Sequence, residues 1–398
     1  MPARPLFESL VIRPARTKYS TTYGMVPAGD VLGRDYDGSC NLVYHPHGQS
    51  EKNMAGITVI GAGIAGLWQA FLLAKEGHAV RVFEQSATPF EAAASRLAGA
   101  MLAPFCEGEA AEPWITGLGR LSLPLWREAF PQTVANGSLV VALPRDLSEL
   151  WRFANMTSGH RRISADEIEA LEPALTGRFG QGLYYAEEGH LEPALALDAL
   201  LQRLRASGVE LKFSAPCDPS QVEADWVIDC RGMAARADLP ALRPVRGEML
   251  IIETSEVALA RPVRLLHPRF PLYIVPWSGN SFMIGATLIE SGDTGPVTLR
   301  SALDLLGTAY SLNPAFGEAR LVRFAADLRP SFPDNAPRII LNGRHIYVNG
   351  LYRHGFLLAP VLAELVARYI KDGTIRQDVF VENYGEWRAA GDARAHAR

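Results

Sequence analysis

The sequence has few cysteines, little net charge and no long hydrophobic run. Its four cysteines, Cys40, Cys106, Cys217 and Cys230, are far apart and form no Cys-x-x-Cys pair. Because no secretory signal is evident either, we expect reduced thiols in a cytoplasmic protein. The net charge of −4 argues against a nucleic-acid partner or a polybasic membrane anchor. No apolar stretch reaches the roughly 18 residues of a membrane span, so we expect no membrane insertion.

Hydrophobic residues make up 48% of the 398-residue chain, enough for the core of one large or two medium domains. Residues 1–53 differ from the rest because they are turn-rich and show no sustained period of 2 or 3.6. We expect them to be a disordered or mis-started extension, with Met54 as the functional start and a transit peptide as the alternative. His45 and His47 lack neighbouring ligand residues, so we predict no metal site.

The chain is organised around a strand–helix–strand pattern at residues 57–84. A β-branched run at 57–60 predicts a buried parallel strand, a helical apolar period follows, and a second strand is predicted at 79–83. Between the first strand and the helix lie three glycines in Gly-x-Gly-x-x-Gly spacing, namely Gly61, Gly63 and Gly66. The order of these parts is that of a dinucleotide-binding unit.

Each residue of this motif has a structural role that explains its type. Gly61 allows a tight turn, Gly63 lets the backbone approach a pyrophosphate, and Gly66 lets the helix pack close to the sheet. The positive end of the helix then faces the phosphates. Glu84, at the tip of the second strand, can accept hydrogen bonds from ribose hydroxyls and disfavours the 2′-phosphate of NADP. The motif leaves FAD and NAD open, and the alternative is a glycine-rich turn in an ordinary α/β domain.

The rest of the chain alternates between two kinds of pattern. Strands and helices alternate up to about residue 244, a period of 2 then predicts an antiparallel sheet, and an α/β pattern returns at 345–369. We therefore predict an α/β protein with a Rossmann-like nucleotide domain built from discontinuous segments and an inserted antiparallel-sheet substrate domain. The nucleotide domain is assigned residues 54–137, 188–244 and 320–385, the substrate domain 138–187 and 245–319, and a solvated tail 386–398.

A second group of residues has the chemistry of a carboxylate site. Arg329, in the segment 325–337, is followed by Pro330 and Pro333, which fix the backbone around it, and arginine suits bidentate carboxylate binding. Tyr273, in the predicted antiparallel sheet, offers a second donor. The segment 349–360 predicts a strand-to-helix turn whose helix N-terminus can point at a ligand. The alternatives are a surface salt bridge for Arg329, a core tyrosine for Tyr273 and a turn residue for His354.

Six motifs occur in the order in which one family of flavoproteins has them. The chain from Met54 to about residue 372 resembles the glycine oxidase/D-amino acid oxidase family of FAD-dependent oxidoreductases, and in particular the ThiO-type glycine oxidases. The segments that carry this resemblance are VIGAGIAGL at 59–67, VFE at 82–84, AGAMLAP at 98–104, YIVP and IGATLIESGD within 273–293, DLRPSFPDNAP at 327–337 and GLYRHGFLLAP at 350–360.

The resemblance implies a set of site residues. It implies FAD bound non-covalently, since the chain has no His-x-x-Cys attachment motif. Arg329 and Tyr273 match the substrate-carboxylate pair, Arg353 matches a polar residue beside the substrate, and Met101 and Leu288 line the pocket; we count Arg329, Tyr273 and Arg353 as the catalytic set. The implied FAD contacts are Gly61, Gly63, Ile64, Ala65, Gly66, Glu84, Gln85, Ala94, Ser95, Gly99, Ala100, Met101, Cys217, Gly232, Leu351, Tyr352, Arg353, His354, Gly355, Phe356 and Leu357.

The resemblance also implies an activity. It points to oxidation of a small amino acid, glycine first, to iminoacetate with hydrogen peroxide formed from dioxygen, for the thiazole branch of thiamin biosynthesis. A homotetramer is the expectation for the assembly. Other amines remain open, namely D-alanine, D-proline, D-hydroxyproline or sarcosine, with a quinone as an alternative electron acceptor. A flavin-binding subunit without turnover and an NAD-linked dehydrogenase are the rivals from other classes.

Overall fold

The computed structural model describes residues 54–269 and 271–389, together with the backbone of 42–44. Of the expected extension 1–53, it therefore describes only three residues, which form a strand paired antiparallel with Thr374–Arg376. The remainder of that prediction, including Cys40, His45 and His47, lies outside the described residues. So do residues 390–398 of the predicted tail.

The described chain alternates between helices and strands. In chain order the helices are α1 (Ile64–Lys75), α2 (Pro104–Glu107), α3 (Pro113–Ala129), α4 (Leu147–Met156), α5 (Ala165–Leu171), α6 (Pro193–Ala206), α7 (Leu299–Leu312) and α8 (Gly355–Asp372). In chain order the strands are β1 (Leu42–Tyr44), β2 (Gly56–Ile60), β3 (Ala79–Phe83), β4 (Met101–Leu102), β5 (Ser138–Ala142), β6 (Arg161–Ser164), β7 (Gln181–Tyr185), β8 (Gly189–His190), β9 (Glu210–Lys212), β10 (Trp226–Asp229), β11 (Arg243–Glu253), β12 (Val263–Leu266), β13 (Leu272–Pro276), β14 (Ser281–Gly285), β15 (Arg320–Ser331), β16 (Arg338–Asn342), β17 (His345–Asn349), β18 (Thr374–Arg376) and β19 (Phe380–Val381).

A seven-stranded sheet carries the glycine motif. Its order is β19-β16-β17-β10-β2-β3-β9, and every pair is parallel except β16 with β17. Strand β2 lies between β10 and β3, and its Ile/Val-rich sequence is buried, as expected for a central parallel strand. Helix α1 packs against α6 and α8. The strand–helix–strand unit predicted at 57–84 is confirmed by β2, α1 and β3.

An eight-stranded sheet forms the second layer. Its order is β15-β11-β14-β13-β12-β5-β7-β6, and its pairs are antiparallel except β12 with β5. A hydrophobic cluster packs this sheet against α5 and α7, with Ile168, Leu250, Ile274, Leu305 and Leu312 among its buried members. The predicted fold class, a discontinuous Rossmann-like domain with a largely antiparallel second sheet, is confirmed.

One predicted boundary differs from the structure. The residues of β15 pair with β11 in the eight-stranded sheet, whereas the sequence analysis assigned 320–331 to the nucleotide domain. The partner strand lies about 75 residues earlier in the chain, so no local pattern reveals the pairing. The remaining division into domains stays a prediction. No helix in the described ranges is long and apolar enough to cross a membrane.

Candidate active site

A cavity of about 960 Å³ lies against both sheets. Its wall includes the glycine motif and the tip of β3 at one end, and residues of β11, β13 and β15 at the other. This volume is near the upper end of the range for cofactor and small-molecule sites, about 300–1,000 Å³. The fold therefore brings both groups of residues singled out in the sequence to one space.

The glycine motif shapes one end of the cavity. Gly61 has φ +96°, and a Cβ there would lie 2.7 Å from the carbonyl oxygen of Cys230. A Cβ on Gly66 would lie 1.8 Å from the carbonyl oxygen of Gly61, so this glycine serves helix packing. A Cβ on Gly63 would meet no described atom closer than 3.8 Å, because Gly63 borders the cavity. Gly63 itself offers no capping side chain to α1, and the hydroxyl of Ser95 accepts a hydrogen bond from the backbone N–H of Ile64 at 3.3 Å.

The carboxylate of Glu84 is held in place at the tip of β3. One oxygen accepts a hydrogen bond from the backbone N–H of Ala62 at 2.8 Å, and the other accepts one from the backbone N–H of Ser86 at 2.9 Å. Each carboxylate oxygen has a second lone pair, and Glu84 borders the cavity. The side chain is therefore fixed with acceptors available for hydroxyl donors of a ligand.

Arg329 lies at the other end of the cavity, on β15. Its Nη1 donates to the carbonyl oxygen of Thr287 at 3.0 Å, and within the described residues it forms no ion pair with an acidic side chain. The side chain is half-buried, and desolvation lowers the pKa of its guanidinium. A cation in this position favours an anionic ligand, because an uncompensated buried charge is costly.

Two glycines make room for the side chains at this end. A Cβ on Gly247, in the neighbouring strand β11, would lie 2.2 Å from Nη2 of Arg329. A Cβ on Gly99 would lie 2.9 Å from Cε2 of Tyr273. The guanidinium and the phenol ring can occupy their positions only because these two residues have no side chain. Glycine within a strand commonly marks such a close approach, and this signal was available in the sequence for Gly247.

A charged cluster that the sequence analysis did not find forms another part of the wall. Nε of Arg353 donates to Oε2 of Glu107 at 2.7 Å, and Arg264 lies 3.9 Å from the same carboxyl group. The Glu107 carboxylate raises the pKa of Arg353. Burial lowers the pKa of His354 to about 4, so its imidazole is neutral near pH 7. Asp327 also borders the cavity, and burial raises its pKa.

The chain matches a family model over most of its length. Residues 56–369 match the model described as FAD dependent oxidoreductase (DAO). The chain belongs to the DAO family of FAD dependent oxidoreductases. It is 51% identical over 313 residues to a Rhizobium etli protein whose name marks it as a provisional thiamine biosynthesis oxidoreductase, ThiO; the match covers 78% of this chain and 95% of the relative. It is 26% identical over 357 residues to the glycine oxidase of Bacillus subtilis, covering 80% of this chain and 94% of the relative.

A solved structure supports the same fold. The crystal structure of glycine oxidase from Geobacillus kaustophilus superposes with a TM-score of 0.68 at 23% identity. The superposition covers 80% of this chain and 94% of that one. The resemblance to the glycine oxidase/D-amino acid oxidase family is thus confirmed, and so is FAD as the cofactor.

The residues of this DAO family member fit FAD. The open space beside Gly63, the positive N-terminal end of α1 and the fixed carboxylate of Glu84 match a pyrophosphate followed by a ribose. The implied contacts that border the cavity are Gly61, Gly63, Ile64, Ala65, Glu84, Gln85, Ala94, Ser95, Gly99, Ala100, Met101, Cys217, Gly232, Leu351, Tyr352, Arg353, Gly355 and Phe356. The implied substrate residues Tyr273, Leu288 and Arg329 border it too.

Three implied cofactor contacts do not border the cavity. Gly66 packs against the turn at Gly61, as described above. The side chain of His354 is buried, with Nδ1 3.3 Å from Oε2 of Glu107. The side chain of Leu357 packs at the position where Gly119 has no Cβ. These three residues lie behind the cavity wall, and their direct contacts with FAD stay predictions. The roles of the other predicted residues remain proposals.

Proposed function

We propose that this FAD-dependent oxidoreductase oxidises a small primary amino acid, with glycine as the first candidate. Glycine and dioxygen would give iminoacetate and hydrogen peroxide, which balances atoms and electrons. The names of the two relatives support this proposal, and ThiO further supports a role in the thiazole branch of thiamin biosynthesis. A cytoplasmic location and a homotetramer stay predictions.

The observation that carries the proposal is that Arg329 lies at the cavity without a carboxylate partner in the described part of the chain. It is a half-buried guanidinium that borders the cavity and has no acidic partner among the described residues. A substrate carboxylate supplies the missing negative charge, and the guanidinium fork binds it with two parallel hydrogen bonds. The hydroxyl of Tyr273 also has no hydrogen-bond partner in the described part of the chain and borders the same space, so it is available as a further donor.

The protein then acts chiefly by positioning. FAD, when bound, supplies the two-electron acceptor for the substrate and the route from there to dioxygen. Arg329 and Tyr273 fix the carboxylate end of the substrate, which fixes the direction in which its Cα–H points. Met101 borders the cavity and is half-buried, so it is placed to exclude water from the reacting carbon. We assign no general acid or base, because a neutral amine needs none for loss of a hydride.

Anaerobic bleaching of the flavin absorbance tests the proposal. The purified holoenzyme is mixed without oxygen with glycine, sarcosine, D-alanine or D-proline, and air is then admitted. We expect glycine to bleach the absorbance fastest, with full recovery in air and one equivalent of hydrogen peroxide per turnover. The iminoacetate product is checked as glyoxylate and ammonia after hydrolysis.

Other outcomes point to specific alternatives. Leu288, which is 52% exposed at the cavity wall, leaves room for a substrate larger than glycine. Bleaching by D-alanine or D-proline but not glycine would therefore favour a D-amino acid oxidase. Bleaching without recovery in air would favour a dehydrogenase that uses a quinone. No bleaching by any of the four amines would contradict the proposed substrate class.

A further inference from the structure

We propose that Glu107 is a positioning residue of the substrate site. It holds one edge of the Arg353 guanidinium, so that the remaining nitrogens of Arg353 can bind the substrate carboxylate together with Arg329. This inference rests on the proposed function, because it assumes a carboxylate ligand. Glu107 lies at the end of the single-turn helix α2, and both Glu107 and Arg353 border the cavity.

The ion pair with Glu107 engages only one of the three nitrogens of the Arg353 guanidinium. Nε of Arg353 donates to Oε2 of Glu107 at 2.7 Å. In the described residues, neither Nη1 nor Nη2 of Arg353 has a hydrogen-bond partner, and Nη2 is buried. A buried guanidinium nitrogen without a partner is costly, so its retention at a ligand cavity points to a missing acceptor.

A second ion pair in this protein shows what a purely structural arrangement looks like. Nε of Arg261 donates to Oε1 of Glu172 at the same distance of 2.7 Å, away from the cavity. Here the other two nitrogens of Arg261 are also bonded, to the carbonyl oxygens of Asn136 at 2.9 Å and Leu171 at 3.2 Å. The structural pair thus uses the whole guanidinium, whereas the pair at the cavity leaves two donors for a ligand.

The charge of Glu107 suits this role. Burial by itself would raise the pKa of Glu107, but Arg353 and Arg264 hold it below its ordinary value, so the carboxylate stays ionised near pH 7. Arg353 contributes to lowering the pKa of Arg329, which places the two guanidinium groups within electrostatic reach of each other. Glu107 therefore offsets part of the repulsion between two cations that converge on one carboxylate.

The test compares Glu107→Gln with a matched control, Glu172→Gln. Glycine oxidation gives KM and kcat, and titration of the holoenzyme with glycolate, followed by the flavin spectrum, gives a dissociation constant without turnover. Glycolate has the carboxylate of glycine but no amine. For Glu107→Gln we expect both constants to rise about tenfold or more while kcat changes less than about threefold. For Glu172→Gln we expect a lower melting temperature with unchanged KM.

A double-mutant cycle separates positioning from direct contact. If Glu107 acts through Arg353, then adding Glu107→Gln to Arg353→Met should change the glycolate constant little further. A full additional loss in the double variant would overturn the proposal, and so would unchanged glycolate binding in Glu107→Gln alone. Weaker glycine binding with unaffected glycolate binding would show instead that Glu107 contacts the amine.

A charge-conserving variant and the glycolate titration decide the remaining cases. Should Glu107→Gln fail to retain FAD, the Glu107→Asp variant keeps the charge, and we expect its glycolate constant to stay within about threefold of the parent protein. A tenfold rise there would contradict the proposal. If no amine is oxidised, the proposed function fails, but glycolate titration still decides whether Glu107 positions Arg353.

Discussion

The backbone N–H of Tyr352 donates a hydrogen bond to the carbonyl oxygen of Pro330, with a nitrogen-to-oxygen distance of 2.9 Å. Tyr352 has φ +49°, an uncommon conformation for a residue with a side chain. The bond ties the turn before α8 to the strand that carries Arg329. Two segments about twenty residues apart thus form one rigid unit at the cavity, which explains how Arg329 and Arg353 are fixed relative to each other.

Replacing Arg329 should abolish most substrate binding and leave the fold intact. For Arg329→Met we expect kcat/KM for glycine to fall roughly a hundredfold to a thousandfold, corresponding to about 3–4 kcal/mol for a lost charge pair. The melting temperature of the free protein should rise or stay constant, because the variant removes a half-buried charge that has no counter-ion among the described residues. Arg323→Met, at an exposed position on the same strand, is the control and should leave kcat/KM unchanged. Near-normal kcat/KM in Arg329→Met would refute the site assignment.

A single methyl group on Gly247 should displace Arg329. The Cβ of Gly247→Ala would lie 2.2 Å from Nη2, so the guanidinium must move. We expect KM for glycine to rise at least about tenfold with the FAD content unchanged, measured by steady-state kinetics and flavin absorbance. Gly307→Ala is the matched control, because a Cβ at this position in α7 meets nothing within 4 Å. It should leave KM unchanged and stabilise the helix slightly.

Glu84 should matter for the affinity of FAD rather than for the substrate. Glu84→Ala removes a carboxylate fixed by two backbone N–H groups and leaves those donors without their acceptor. We expect the FAD dissociation constant to rise about tenfold to a hundredfold, as for lost hydrogen bonds to a charged group. The measurement is FAD fluorescence during titration. Glu91→Ala, an exposed position nearby, should bind FAD like the parent protein, and equal affinity of both variants would contradict the role of Glu84.

The buried carboxyl group of Glu188 should make stability depend on pH. It contacts Cys106 and Ser138, and burial raises its pKa to about 7 from an ordinary value of 4.5. The folded state therefore favours the protonated form, so the contribution of this group is present below pH 4.5 and is lost as the pH rises towards 7.

The comparison with Glu188→Gln isolates this effect. Between pH 5 and pH 8, the free energy of unfolding of the parent protein should fall relative to the variant by up to about 3 kcal/mol. Urea unfolding at both pH values measures the difference. An unchanged difference would mean that Glu188 titrates near its ordinary pKa.

Local patterns predicted the parts of the fold whose signals are close together in the chain. The strand predicted at 79–83 matches β3 without any shift, because a short buried run directly after a glycine turn sets its limits. A capping box of Ser164 and Glu167 begins α5, and its Ser-x-x-Glu spacing is local enough to be read from sequence. Helix α4, which packs against β5 and β7, was not predicted.

The remainder of the site depends on contacts between distant segments. Glu107 and Arg353 are 246 positions apart, and nothing in the spacing of the CEGE segment indicates a partner at the other end of the chain. The edge position of β15 depends in the same way on its pairing with β11. Arg329 and Tyr273 were singled out by their residue types and local sequence, and the family motifs then assigned them one role. Gly247 could have been noticed as a glycine inside a predicted strand.

The central strands of the seven-stranded sheet come from widely separated parts of the chain. Strand β10 pairs with β2 on one side and with β17 on the other. In the sequence, β2 precedes β10 by about 170 residues and β17 follows it by about 120 residues. On the ribosome, the glycine motif emerges early, but the sheet that supports it is incomplete until β17 has been synthesised. High contact order of this kind slows folding and leaves strand edges exposed. Capture of FAD should therefore be a late event in biosynthesis, and nascent chains should depend on chaperones until then.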